Sequence, residues 1–122
     1  MSESNTALRV EFNYKFGLLS VYAGIIGIRF ICTSYTRTPA EQNKLFREGK
    51  SGCDGYDEKS YHQLDRARDI VIVDKVDDKS NIPVWERNKD YELLGKFWRS
   101  IDGRWGGDWE NMDFDDIYHF EY

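Results

Sequence analysis

Ser60-Tyr61-His62-Gln63-Leu64-Asp65-Arg66-Ala67-Arg68-Asp69-Ile70-Val71-Ile72-Val73 sets a histidine seven residues before an aspartate, and the aspartate before an unbroken run of branched aliphatic residues. A short apolar, β-branched run is the signature of a buried strand. Asp69 is therefore expected at a strand's edge, with His62 on the loop or turn that leads into it. The only other histidine, His119, closes Asp115-Asp116-Ile117-Tyr118-His119-Phe120-Glu121 and is expected to arrive from a neighbouring strand.

Upstream, Leu8, Phe12, Phe16, Leu19, Tyr22 and Ile26 recur at three- and four-residue steps. That period predicts a helix from Ala7 to about Ile26, which Gly24 and Gly27 favour ending. Ile28-Arg29-Phe30-Ile31-Cys32-Thr33 reads as a strand running into a loop at Ser34-Tyr35-Thr36-Arg37. Thr38, Pro39 and Glu41 supply a capping box and a proline at the first helical position, so a second helix should run to about Gly49. Ser51 to Lys59 reads as a surface loop. Its acids Asp54, Asp57 and Glu58 lack the EF-hand pattern and are expected to be solvated rather than to hold calcium.

Downstream, Asp74 to Asn88 is polar, contains Pro83 and is expected to form a hairpin or excursion. A last helix from about Asp90 to Ile101 should present Leu93, Leu94, Phe97, Trp98 and Ile101 to the core and end at Asp102-Gly103. The remainder, from Trp105 to Tyr122, reads as turn, loop and final strand. A length of 122 residues, 40% of them apolar and 16% aromatic, fits one domain over 1–122. The net charge of −5 and pI near 5.0 disfavour nucleic acid and anionic lipid as partners. The start shows no basic leader before an apolar stretch. The apolar run from Gly17 to Cys32 is broken by Arg29 and is short for a bilayer span. A soluble monomer made in the cytoplasm without a signal peptide is expected. Cys32 and Cys53 are expected as reduced thiols, neither at metal-ligand spacing to a histidine.

Zinc takes nitrogen and oxygen ligands where sulfur is absent, and a catalytic site keeps three protein ligands with one position open. His62, Asp69 and His119 supply such a set. Hydrolysis also needs a group off the metal to move a proton. Asp116, three residues before His119, is the candidate, and Asp115 is its rival, since a one-residue shift on an extended strand reverses the side chain's face. Arg37 is a candidate cation for an oxyanion or a carboxylate, or pairs with a surface acid. Ser60 caps a turn or contacts substrate. Trp105 and Trp109 are core or cleft lining, with Trp109 the substrate-binding candidate. Glu121 should turn back to the His119 side and hydrogen-bond a neighbour.

The chain resembles the M15 zinc peptidases, the D-alanyl-D-alanine carboxypeptidase and L-alanyl-D-glutamate endopeptidase group. The S-x-H-x-x-G-x-A-x-D motif matches at Ser60, His62, Ala67 and Asp69, and the acid-x-x-His element at Asp116 and His119. The Tyr-x-Arg-Thr-x-x-x-Gln region matches Tyr35, Arg37, Thr38 and Gln42. Trp105-Gly106-Gly107-Asp108-Trp109 and His119-Phe120-Glu121 look most like single-domain phage endolysins of the endopeptidase branch. The resemblance implies an α+β fold of the Hedgehog/DD-peptidase kind, in which a small antiparallel sheet carries the zinc site and packs against helices. It further implies zinc on His62, Asp69 and His119, Asp116 as general base and acid, and Arg37 steadying substrate or transition state. The implied partner is a peptidoglycan stem peptide, cut without a separate wall-binding domain and reached after holin-mediated release. A D-Ala-D-Ala carboxypeptidase or dipeptidase and a non-catalytic zinc-stabilised binding module are the competing readings. One departure stands out. Asp65 occupies the place of the motif's glycine, in a turn where a left-handed backbone is expected, and brings a further carboxylate toward the metal.

Overall fold

A computed structural model describes residues 4–34, 36–75, 77–110 and 114–122; Tyr35 of the upstream motif lies outside them. Helix α1 spans Asn5–Ile26, capped by the Ser4 side chain and closed by Gly27 at φ 81°. The left-handed cap is a conformation glycine adopts without a Cβ penalty. Its buried line runs through Phe12, Lys15, Leu19 and Ala23. Ile26, expected on that line, is instead exposed, because the stripe steps from Leu19 to Ala23 just before the helix ends. Lys15 keeps its charge satisfied by donating to the Ile101 carbonyl and lying 4.2 Å over the Tyr122 ring.

Strand β1, Arg29–Ser34, leads into α2, Pro39–Arg47. The expected capping box is formed: the Glu41 amide donates to Thr38 Oγ1 and the Thr38 amide to Glu41 Oε1, both at 3.1 Å. Strand β2, Ala67–Lys75, carries Ile70, Val71 and Ile72, each at most 2% exposed. Burial of consecutive residues means that both faces of this strand are covered. The expected hairpin follows as β3, Asn81–Val84, and Pro83 sits on this outer strand, where a missing amide costs least. Helix α3, Lys89–Ser100, is capped by Asn88. Strand β4, Arg104–Trp105, a short 3-10 turn at Gly106–Asp108, and β5, His119–Glu121, complete the chain.

The sheet is antiparallel with order β1-β2-β5-β4. A strand has two edges; β1 takes one edge of β2, and the other is shared by β5 along Ala67–Asp69 and β3 along Ile72–Lys75. The expected α+β architecture is thus present, with α1 and α3 packed on the sheet through an aromatic core. Trp98 lies edge-on to Phe12 and Phe120, its indole N–H shared between the Arg104 and Glu121 carbonyls. Trp105 is buried core rather than cleft lining. It lies so close to α3 that a Cβ on Gly95 would fall 2.2 Å from its ring. No helix among the described residues is long and apolar enough to cross a membrane.

Candidate metal centre and cleft

Sheet register does the first part of the assembly. The β2–β5 ladder sets Asp69 directly opposite His119, and an irregularity in β1 between Cys32 and Ser34 sets Ser34 opposite Asp69. His62 comes from a tight turn in which the Gln63 and Leu64 amides donate to the Ser60 carbonyl, and Ser60 Oγ accepts from the Gln63 amide as well. Asp65 completes that turn at φ 58°, the left-handed conformation expected where the motif has glycine.

Three lone-pair donors converge. His62 Nε2 lies 3.2 Å from His119 Nδ1, and Asp69 Oδ1 is 3.3 Å from each. A tetrahedral zinc ion with arms of about 2.0–2.1 Å sets donor–donor edges of about 3.3–3.4 Å, so this triangle has the size such an ion needs. The remaining ring nitrogens are held from behind. Ser34 Oγ is 3.4 Å from His62 Nδ1, and Glu121 Oε1 is 2.7 Å from His119 Nε2, which leaves His119 Nδ1 to face the other two donors. Glu121 is fixed in turn by Arg104 at 2.9 Å. It hydrogen-bonds on the His119 side, as its strand alternation predicts.

The electrostatics agree with a shared cationic position. Burial works against the charged form of Asp69, yet hydrogen bonds from both histidines hold its carboxyl well below the usual range. Burial also opposes a charged His119, but hydrogen bonds to Asp69 and Glu121 prevail and push its pKa up to about 9. Burial moves His62 the opposite way, downward. Two imidazolium ions at 3.2 Å would repel, which opposes charging both rings at once, and a metal ion taking the shared position would compete with protons there.

These groups floor a cleft of about 880 Å³ whose lining includes Arg37, Lys59, Ser60, Trp109 and Asp116. Burial and the nearby carboxylates of Asp69 and Glu121 raise the Asp116 pKa against the pull of His119. Its rival Asp115 faces elsewhere, gripped through both oxygens by Arg87 at 2.6 and 2.8 Å. Strand alternation does not separate the two, because neither lies in β5; both precede the turn that leads into it. Trp109 packs its ring 5.0 Å from that of His119. Arg37 is held in place, with Nη2 on Ser34 Oγ at 3.1 Å and 3.7 Å from Asp69 Oδ2, and Nη1 on Gln42 Oε1 at 3.1 Å. It pairs with neither a surface acid nor open solvent. Ser60 Oγ donates to Gln42 Oε1 at 2.8 Å in addition to its turn contact.

Sequence reasoning did not single out Gln42 as the hub of this wall. The residue is fully buried, accepts from Arg37 and Ser60, and donates to Ser51 Oγ at 2.7 Å and the Cys53 carbonyl at 2.9 Å. Its match to the Tyr-x-Arg-Thr-x-x-x-Gln region is the signal that points to it, without revealing its partners. Ser34 and Arg104 were likewise invisible, since pairing across strands brings them in. Asp54 caps its own loop by accepting from the Tyr56, Asp57 and Glu58 amides. Both cysteines are free thiols.

Asp65 requires a correction. Its carboxylate does not join the three converging donors: Oδ2 accepts from Arg9 at 3.1 Å, and Oδ1 accepts from Thr36 at 2.8 Å and meets Arg68 at 2.8 Å. The turn geometry directs the side chain to α1. Although burial alone would raise its pKa, these contacts lower it. A depressed folded pKa means stabilisation that is full above about pH 4 and lost as pH falls through the folded value. Asp65→Asn, which also tolerates the left-handed backbone, is expected to cost about 1 kcal/mol at pH 7. In urea titrations the difference from the parent should vanish in acid.

An α+β sheet that presents a His/Asp/His centre and an unligated carboxylate to an open cleft is the build of a hydrolase. Residues 54–122 match the model of an M15 peptidase family described as D-alanyl-D-alanine carboxypeptidase, more than half of the chain, and the protein belongs to that family. The fold is similar to that of the L-Ala D-Glu endopeptidase ChiX of Serratia marcescens. TM-score is 0.57 and sequence identity 23%, over 77% of this chain and 66% of that one, just under two thirds of its length. No curated protein sequence matches.

Proposed function

We propose that the protein is a zinc-dependent peptidoglycan peptidase that hydrolyses the L-alanyl-D-glutamate bond of stem peptides. The observation that carries this reading is the tetrahedron-sized triangle of His62 Nε2, Asp69 Oδ1 and His119 Nδ1 at the floor of a cleft that Asp116 also lines. His62, Asp69 and His119 would hold the zinc, which supplies a Lewis acid to polarise the scissile carbonyl and acidify water. Asp116, kept off the donor set and raised in pKa by burial, accepts the proton of the attacking water and returns it to the leaving amine. Glu121 and Ser34 hold the two imidazoles in the required orientation, and Arg37 fixes the second oxygen of Asp69. Trp109 shields the His119 side of the cleft from bulk water. The structural neighbour is itself an L-Ala D-Glu endopeptidase, and this, with the likeness of the Trp105–Trp109 segment to phage endolysins, supports a role in wall lysis.

The family description favours a second reading, removal of a terminal D-alanine. That reaction calls for a pocket closed around a free carboxylate, whereas this cleft is open. Mass spectrometry of muropeptides digested with and without chelator separates the two by the bond cut. New L-alanine C-termini that disappear with chelator are expected. Loss of D-alanine alone supports the carboxypeptidase, and no chelator-sensitive product at all sinks the peptidase proposal.

A further inference from the structure

The cleft has an unequal charge distribution. Its floor is acidic, with Asp69, Asp116 and Glu121, and its far wall is built from the segment between α2 and the His62 turn, where Lys50 and Lys59 line it. The cations available to a substrate are not equivalent. Arg37, the obvious carboxylate receiver from sequence, already donates to Ser34 and Gln42 and faces Asp69. Redirecting it would break its hydrogen bonds to Ser34 Oγ and buried Gln42 Oε1 and remove the cation facing Asp69 Oδ2, a costly exchange. Lys50 is drawn to Glu48 at 3.4 Å. Lys59 alone among these three has neither an ion pair nor a hydrogen bond to any described residue. It stands three residues before His62 on the lead into the metal turn, and that turn is pinned through Ser60 to Gln42. An ammonium on the wall of the cleft that Asp69, Asp116 and His119 also line, without an acceptor among the described residues, is set to meet an anion that arrives with the substrate.

We infer that Lys59 is a specificity-determining residue that receives a free carboxylate next to the scissile amide, while Arg37 serves as a positioning residue for Asp69. The inference rests on the peptidase reading above and adds the substrate class: peptides with an ionised carboxylate beside the cut bond, as in D-glutamate, in preference to the carboxamide, as in D-isoglutamine. Neutralising the substrate removes an attractive term at Lys59 and leaves the chemistry at the metal untouched.

The test uses two synthetic stem peptides that differ only in that carboxylate or carboxamide, with zinc-loaded protein. The parent is expected to prefer the acid by about five- to tenfold in kcat/KM, carried mainly by KM, as for a partly exposed charge pair. Lys59→Gln should abolish the preference with kcat nearly unchanged, and Lys59→Glu should reverse it. Calorimetric affinities for both peptides, measured in an Asp116→Asn background, should follow the same order. If Lys59→Gln still prefers the acid, the inference is overturned and the peptidase reading stands. If the parent cuts neither peptide, the peptidase reading fails and takes the inference with it.

Discussion

Asp116→Asn is expected to lower kcat by about 10²–10⁴-fold, the usual contribution of a positioned acid–base group, while bound zinc stays at one per chain. Asparagine preserves the size and polarity of the side chain but cannot take a proton from water. It also leaves the three donors in place, since none of the 3.2–3.3 Å edges involves Asp116. KM should change little, because the loss lies in proton transfer rather than in substrate contacts. Asp115→Asn is the control. Its partner is Arg87, outside the centre, so its effect should be confined to stability. Steady-state kinetics with metal content measured on the same samples decides the matter. Equal losses in both variants, or loss of zinc with Asp116→Asn, would remove Asp116 from the proton-transfer role.

The second large effect concerns the metal. Zinc that binds the folded chain and not the unfolded one stabilises by about 4 kcal/mol at a thousandfold excess over Kd, which for a domain of this size raises Tm by about 10–20 °C. His62→Ala removes one of three donors and should abolish most of that rise together with activity. The metal-free variant should melt close to the metal-free parent, because deleting His62 relieves the crowding of two imidazoles at 3.2 Å as well as removing a buried ring. Differential scanning calorimetry with zinc and with chelator reads both quantities. A zinc-induced rise that survives His62→Ala would place the metal elsewhere.

Much of this was legible in the sequence, for identifiable reasons. The aliphatic run after Asp69, the Thr38/Glu41 box and the apolar face of α3 are local signals, each read within a few residues. The histidines and Asp69 were found because metal chemistry narrows the choice of ligands in a chain with two histidines and no suitably spaced cysteine. What stayed hidden was set by strand register and by turns. Ser34 and Arg104 reach the histidines through cross-strand pairing, and Gln42 becomes a hub only when three separate segments meet around it. The fate of Asp65 depended on which way a left-handed turn aims its side chain, toward Arg9 and Arg68 rather than the cleft. Spacing alone carries none of that.

The shared edge of β2 also bears on how the centre comes into being. His62 and His119 are 57 residues apart, and the ladder that brings His119 to Asp69 is three pairs long. A short, late, long-range pairing closes at a high entropic cost and gains little until its side chains are locked together. During synthesis, then, residues up to the end of α3 can collapse around Trp98 while the metal position is still one donor short. Under the proposed function, competence would arrive only with β5, and zinc capture at that step would act as the latch that makes docking persist. Stopped-flow refolding should accordingly show a phase whose amplitude depends on zinc and which follows helix formation in α1 and α3.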